Sequence, residues 1–239
     1  MPTSGVVLDT PDGPMPTYAA EPDGPAKGGI VVVQEAFGVT HHIEQIAARL
    51  GEAGWHAVAP ALFHRQGSAV LAYDDLAAVM PVMQQLTAAG IDTDMQAAFE
   101  HLEKAGSPPP RQGVVGFCMG GSVVFHTACD HALGAAVTFY GGGIREGRFG
   151  YPAQLERARQ LRTPWLGLYG DVDKGIPPEQ VEELRSAAAA APVPTEVVRY
   201  ADADHGFNCN DRPAVYNPAA AGDAWARTLA WFDTYLAPG

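Results

Sequence analysis

Short, unbroken apolar runs alternate along the 239-residue chain with stretches whose apolar residues recur every third or fourth position. A run of β-branched and aromatic residues bounded by glycine or proline fits a strand buried on both faces, and the wider spacing fits one side of a helix. The runs predict strands over Gly29 to Gln34, Trp55 to Pro60, Gln112 to Phe117, Ala135 to Tyr140, Trp165 to Tyr169 and Thr195 to Tyr200. A leading pair is expected near Val6 to Leu8 and Met15 to Ala19. Helical stripes are formed by Ile43, Ile46, Ala47 and Leu50, by Met95, Ala98, Phe99 and Leu102 with Asp92 as the expected cap, and by Trp225, Leu229, Phe232 and Leu236. Such alternation predicts an α/β fold, a mainly parallel central sheet with helices on both faces. Ser107 to Pro110 and Ala191 to Pro194 read as short turns, too brief for linkers, so residues 1 to 239 are expected to form one domain.

Composition narrows the function classes. A chain of this length can bury roughly 70–75% of its unfolded surface without disulfide or metal staples. Three cysteines, an odd number with no CxxC pair, argue against a disulfide framework and a structural zinc site. His41 and His42 open a helix without HExxH spacing, so no metal role is expected there. A formal charge of −12 and a pI near 4.9 disfavour nucleic acid and anionic membranes as partners. With no basic leader and no apolar run of about 18 residues, a cytoplasmic location is expected. The partner expected is a small molecule, with no cofactor.

The chemistry centres on Gly116-Phe117-Cys118-Met119-Gly120, directly behind the apolar run Gln112 to Val115. This has the form of a nucleophile elbow with Cys in place of Ser, a sharp strand-to-helix turn whose flanking glycines relieve crowding. Cysteine is more often a buried packing residue, yet the strand in front and the paired glycines favour a catalytic thiol. A thiol needs a base and a group that orients the base. In the α/β-hydrolase plan these follow in the order nucleophile, acid, histidine, each on a loop after a strand. Behind Trp165 to Tyr169 comes Gly170-Asp171-Val172-Asp173, and behind Val197 to Tyr200 comes Ala201-Asp202-Ala203-Asp204-His205. His205 is the expected base, and Asp171 and Asp173 compete for the acid. The same plan draws the oxyanion hole from the backbone N–H of Met119 and of Ala36.

Nearly the whole chain resembles the dienelactone hydrolase (carboxymethylenebutenolidase) family of α/β-hydrolases. The resemblance is carried by Gln34-Glu35-Ala36-Phe37-Gly38, Gly116 to Gly121, Tyr140-Gly141-Gly142-Gly143 and His205-Gly206-Phe207. It implies a Cys-His-Asp triad, and its spacing of Gly170, Asp173 and Pro177 selects Asp173. It also implies that Glu35 holds the resting thiol and helps deprotonate it, and that Phe37 and Tyr140 border the substrate. The implied activity is lactone or ester hydrolysis through a thioester acyl-enzyme. One departure touches specificity: the family's dienelactone-cleaving members hold a substrate carboxylate between two arginines, one of them four residues after the histidine. That position is Cys209, and Leu71 to His101 contains no arginine. Arg65 and Arg212 are the substitutes expected from neighbouring loops. A general carboxylesterase or thioesterase would share every catalytic residue, whereas a non-catalytic binding protein of this fold would be expected to lack one.

Overall fold

The first two strands are joined by two residues and the later ones by helices, and this difference sets the sheet. A computed structural model describes residues 3–236. β1 (Thr3–Thr10) and β2 (Gly13–Ala20) form a hairpin with Thr10 opposite Gly13, a connection so short that only antiparallel pairing is possible. β3 (Gly29–Val33), β4 (His56–Pro60), β5 (Gln112–Phe117), β6 (Ala135–Phe139), β7 (Trp165–Gly170) and β8 (Thr195–Tyr200) are separated by helical crossovers and run parallel. The sheet order is β1-β2-β4-β3-β5-β6-β7-β8. This is the expected mainly parallel α/β architecture, with each strand end within a few residues of its expected place.

Every residue of β3, β4, β5, β6 and β7 is buried. Successive side chains point to opposite faces, so both faces of the central sheet are covered. The cover comes from α1 (His41–Glu52) on β4, α3 (Ala88–Lys104) on β1, β3 and β4, α4 (Met119–Asp130) on β5 and β6, α6 (Pro178–Ala188) on β8, and α7 (Pro218–Tyr235) on β6 and β7. Two short helices complete the chain, α2 (Leu76–Met83) and α5 (Gln154–Arg157). Among the described residues no helix is long and apolar enough to cross a membrane.

One expected cap is displaced. α3 starts at Ala88, where the Thr87 hydroxyl accepts from the Gly90 N–H, and Asp92 lies inside the helix. The Asp92 carboxylate instead accepts the Tyr151 hydroxyl at 2.5 Å. Ala88-Ala89-Gly90 carries almost no amphipathic signal, so the first turn is invisible to the spacing that marks the rest.

Parallel pairing gathers the chemistry on one edge. Val33 lies opposite Gly116, Phe117 opposite Phe139, and Gly170 opposite Tyr200. The turns that follow these strands carry Glu35, Cys118, Tyr140, Asp173 and His205, so all five emerge at the carboxyl edge of the sheet, where α/β folds bind ligands.

Candidate active site

Cys118 occupies a turn that only a tight environment sustains. Its φ of 56° and ψ of −112° lie outside the ordinary regions for a residue with a Cβ, a conformation costing about 1–3 kcal/mol. The Cys118 N–H is held by the Phe139 carbonyl at 3.0 Å. A Cβ on Gly116 would collide with the Gly120 carbonyl, and one on Gly120 with the Val33 carbonyl, so both glycines are sterically required. The helix behind the elbow, α4, has eleven of its twelve residues buried. Cys118 itself is partly exposed, whereas Cys129 and Cys209 are buried. Met119 is the first residue of α4, where an N–H has no partner within the helix, and Ala36 begins the turn after β3.

His205 connects the thiol to a carboxylate. Its Nδ1 lies 2.7 Å from Oδ2 of Asp173, whose other oxygen accepts the Gly175 N–H at 2.8 Å. A carboxylate can only accept, so Nδ1 carries the proton and Nε2 is the nitrogen left free on the ring. Burial opposes charge on the ring, but the Cys118 sulfur and the Asp173 carboxylate outweigh it and raise the His205 pKa to about 10. A protonated His205 ring is thereby favoured. Asp171 takes no part: Arg199 grips it through Nε at 2.6 Å and a terminal nitrogen at 2.9 Å.

Glu35 lies beneath this pair and is fully buried. One carboxylate oxygen accepts the Tyr140 hydroxyl at 3.4 Å, while the other is buried with no hydrogen-bond partner in the structure. Burial raises its pKa, and the nearby charges of Arg212 and His205 only partly offset that. The Tyr140 phenol feels both the Glu35 carboxylate and the Cys118 sulfur, so the two groups share one neighbourhood.

Of the four residues expected to touch substrate, Arg212 has its charge uncommitted. Its guanidinium lies 5.6 Å from the ring centres of both Phe37 and Tyr73, with no carboxylate within ion-pair distance among the described residues. Gly206 makes this possible, because a Cβ there would come within 2.7 Å of an Arg212 nitrogen. The other three are engaged by the protein itself. Arg65 is clamped by Asp12 at 2.7 Å and by Asp94 at 2.7 Å, and a third residue, Gly90, takes a further bond, so its donors are committed to the protein. Tyr140 is 0% exposed and serves Glu35 rather than a ligand. Phe37 is buried under Tyr73, whose ring meets it edge-on at 4.7 Å.

Spacing gave no hint of the strap that holds this corner. Leu71 donates to the Phe37 carbonyl at 2.9 Å, the Tyr73 hydroxyl lies 3.0 Å from Thr40 Oγ1, and the Cys209 thiol donates to that hydroxyl at 3.5 Å. The Arg65 clamp did leave a trace. Asp94 sits inside the apolar stripe of α3 and is fully buried, an ionisable residue at a core position. Among the described residues no group of three His, Cys, Asp or Glu is arranged to hold a metal ion.

An elbow thiol, a carboxylate and a histidine, delivered in that chain order at the carboxyl edge of such a sheet, define an α/β-hydrolase. The sequence profile of the dienelactone hydrolase family matches residues 15–236. The chain is 38% identical over 230 residues, 92% of its own length and 83% of the other's, to an Escherichia coli O157:H7 protein provisionally named a carboxymethylenebutenolidase. It is 33% identical over 233 residues to the carboxymethylenebutenolidase of Rhodococcus opacus, with 95% of this chain and 88% of that one covered. The crystal structure of a provisionally named dienelactone hydrolase from Klebsiella pneumoniae superposes with a TM-score of 0.88 at 34% identity, covering 98% of this chain and 99% of that one. The chain belongs to the dienelactone hydrolase family and is a hydrolase of ester bonds.

Proposed function

We propose that the protein opens lactones or carboxylic esters through a thioester on Cys118. The observation that carries this reading is His205 held through Nδ1 by Asp173 at 2.7 Å, at the same sheet edge as a sulfur raised on an elbow. The thiolate attacks the acyl carbon, and the carbonyl oxygen takes up negative charge beside the N–H groups of Met119 and Ala36. Collapse of this intermediate breaks the C–O bond. The departing alkoxide takes the proton of the His205 imidazolium, leaving a thioester and neutral imidazole. The imidazole then removes a proton from water, which attacks the thioester and restores the thiolate and imidazolium. From a lactone the alcohol stays attached, and the product is a hydroxy acid.

Glu35 acts on the thiol through charge in this scheme. Protonated, as burial favours, it leaves the thiolate unopposed; ionised, it adds a second negative charge to the same neighbourhood. Arg212 is the cation available to a substrate carboxylate.

Rapid-quench mass spectrometry with p-nitrophenyl acetate tests the scheme. The acetyl group should appear on the peptide that contains Cys118 and be absent from Cys118→Ala protein. Replacing Asp173 with Asn should lower kcat by about 10⁴, as loss of the orienting carboxylate does in other triads. An acetyl group on another residue, with turnover surviving Cys118→Ala, overturns the assignment.

A further inference from the structure

Three separate stretches of chain meet at one phenol. Tyr73 ends the strap, and its hydroxyl lies 3.0 Å from Oγ1 of Thr40, the residue that caps α1, while accepting the Cys209 thiol at 3.5 Å. Its ring meets Phe37 edge-on at 4.7 Å. Cys209 belongs to the loop behind His205, which is wound by a bond from the Cys209 N–H to the Gly206 carbonyl at 2.8 Å and one from the Arg212 N–H to the Cys209 carbonyl at 3.1 Å. The thiol that Tyr73 receives is therefore one turn away from the guanidinium that its ring faces.

Arg212 is placed by what surrounds its head. One guanidinium nitrogen lies 2.7 Å from where a Cβ on Gly206, the residue after His205, would stand, and the guanidinium carbon lies 5.6 Å from the ring centres of both Phe37 and Tyr73. Burial raises the Glu35 pKa, and Arg212 is the largest of the charges that oppose it. The cation thus belongs to the neighbourhood of His205 and Glu35. Phe37 is buried, whereas Tyr73 is partly exposed, so Tyr73 stands between the guanidinium and solvent on that side. An arginine head rides on a long flexible stem, and an aromatic face restrains it by cation–π attraction and flat packing.

We propose that Tyr73 is a positioning residue for Arg212: its ring holds the guanidinium against Gly206 for a substrate carboxylate, and its hydroxyl ties that ring to α1 and to the His205 loop. The proposal rests on the Cys118 reading and on Arg212 as the cation for a carboxylate, and it names what sets selectivity for an acidic substrate. Cys209 stands four residues after the histidine, where the family's dienelactone-cleaving members have an arginine. Here that position anchors Tyr73, and the charge comes from three residues further on.

Mono-p-nitrophenyl glutarate and p-nitrophenyl pentanoate have acyl chains of equal length, and only the first ends in a carboxylate. Tyr73→Leu should raise KM for the glutarate ester about two- to thirtyfold, the range of one cation–π contact, while kcat on it and both constants for the pentanoate change less than twofold. Tyr73→Phe keeps the ring and loses its anchors, so its KM for the glutarate ester should fall between those of the wild type and Tyr73→Leu. In Arg212→Ala protein, adding Tyr73→Leu should change nothing further, because the group it positions is gone. The inhibition constant of glutarate gives the same comparison without turnover. An unchanged KM in Tyr73→Leu, equal losses on both esters, or an effect that persists undiminished in Arg212→Ala protein overturns the proposal. Should Tyr73→Leu fail to fold, Tyr73→Phe decides alone, and a wild-type KM for the glutarate ester then overturns it. Failure of the underlying readings is recognised separately. Arg212→Ala protein that treats the two esters as the wild type does removes the carboxylate site and the proposal with it, and acetate hydrolysis that survives Cys118→Ala removes the thioester.

Discussion

Two arginines, each on a loop beside the catalytic edge, have opposite fates. Arg65 reaches into the protein and neutralises Asp94, a carboxylate with no exposed side-chain surface that also meets His64 at 3.1 Å. Arg212 lies over aromatic faces, held there by the space that Gly206 leaves, with no carboxylate within ion-pair distance among the described residues. The difference teaches that availability depends on what is buried nearby. A loop arginine opposite a buried acid belongs to the fold, and one opposite rings remains free for a ligand.

Stability should separate the two most strongly. Arg65→Ala leaves Asp94 short of its strongest partner, and unfolding in urea should show a loss of about 2–3 kcal/mol, below the 3–5 of a fully buried pair because Arg65 is 23% exposed. A loss under 0.5 kcal/mol would erase the contrast with Arg212. While Glu35 stays protonated, Arg212→Ala should leave the urea midpoint nearly unchanged and act on selectivity. Against an ester bearing a carboxylate, kcat/KM should fall ten- to a hundredfold, matching about 1.5–3 kcal/mol for a charge-assisted bond, while a neutral ester of equal length should change less than threefold. Equal losses on both substrates would mean that Arg212 shapes the site without binding the acid.

The same arginine faces Glu35, and pH reveals it. The folded pKa of Glu35 lies above its unfolded value because of burial. Its contribution to stability is therefore fully present below the unfolded pKa and is lost as pH rises through the folded one, by at most about 1.4 kcal/mol per pH unit for one proton. Glu35→Gln should remove this pH dependence. Arg212→Ala should move the loss to still higher pH, because Arg212 lowers the Glu35 pKa. Denaturation curves between pH 5 and 9 for the three proteins decide it, and parallel profiles would detach Arg212 from Glu35. The smallest effect is expected at Asp171→Asn. Its ion pair with Arg199 is partly exposed, so about 0.5–1 kcal/mol of stability and little turnover should be lost.

The strands were legible because burial on both faces imposes unbroken apolar runs, and the elbow because its two glycines answer steric demands that leave no other choice. Asp173 could be chosen over Asp171 only through the family's spacing, since both follow the same strand; Arg199, 28 residues further on, is what removes Asp171. Long-range partners account for the misplaced residues. Arg65 meets Asp94 across 29 positions and Asp92 meets Tyr151 across 59, distances that no local pattern encodes. Tyr140 is put beside the substrate only by the family resemblance; it is 0% exposed and its hydroxyl is taken by Glu35.

The burial of α4 has a consequence for how such an enzyme diversifies. Cys118 sits at the head of the most buried helix, where almost any new side chain meets packed neighbours. Change meets least resistance in exposed segments such as the strap from Val70 to Tyr73 and α2, where only Val79 is buried. Exchanging those segments between relatives should transplant substrate preference while the reaction itself travels unaltered with the scaffold, which makes them the natural units for recombination in the laboratory.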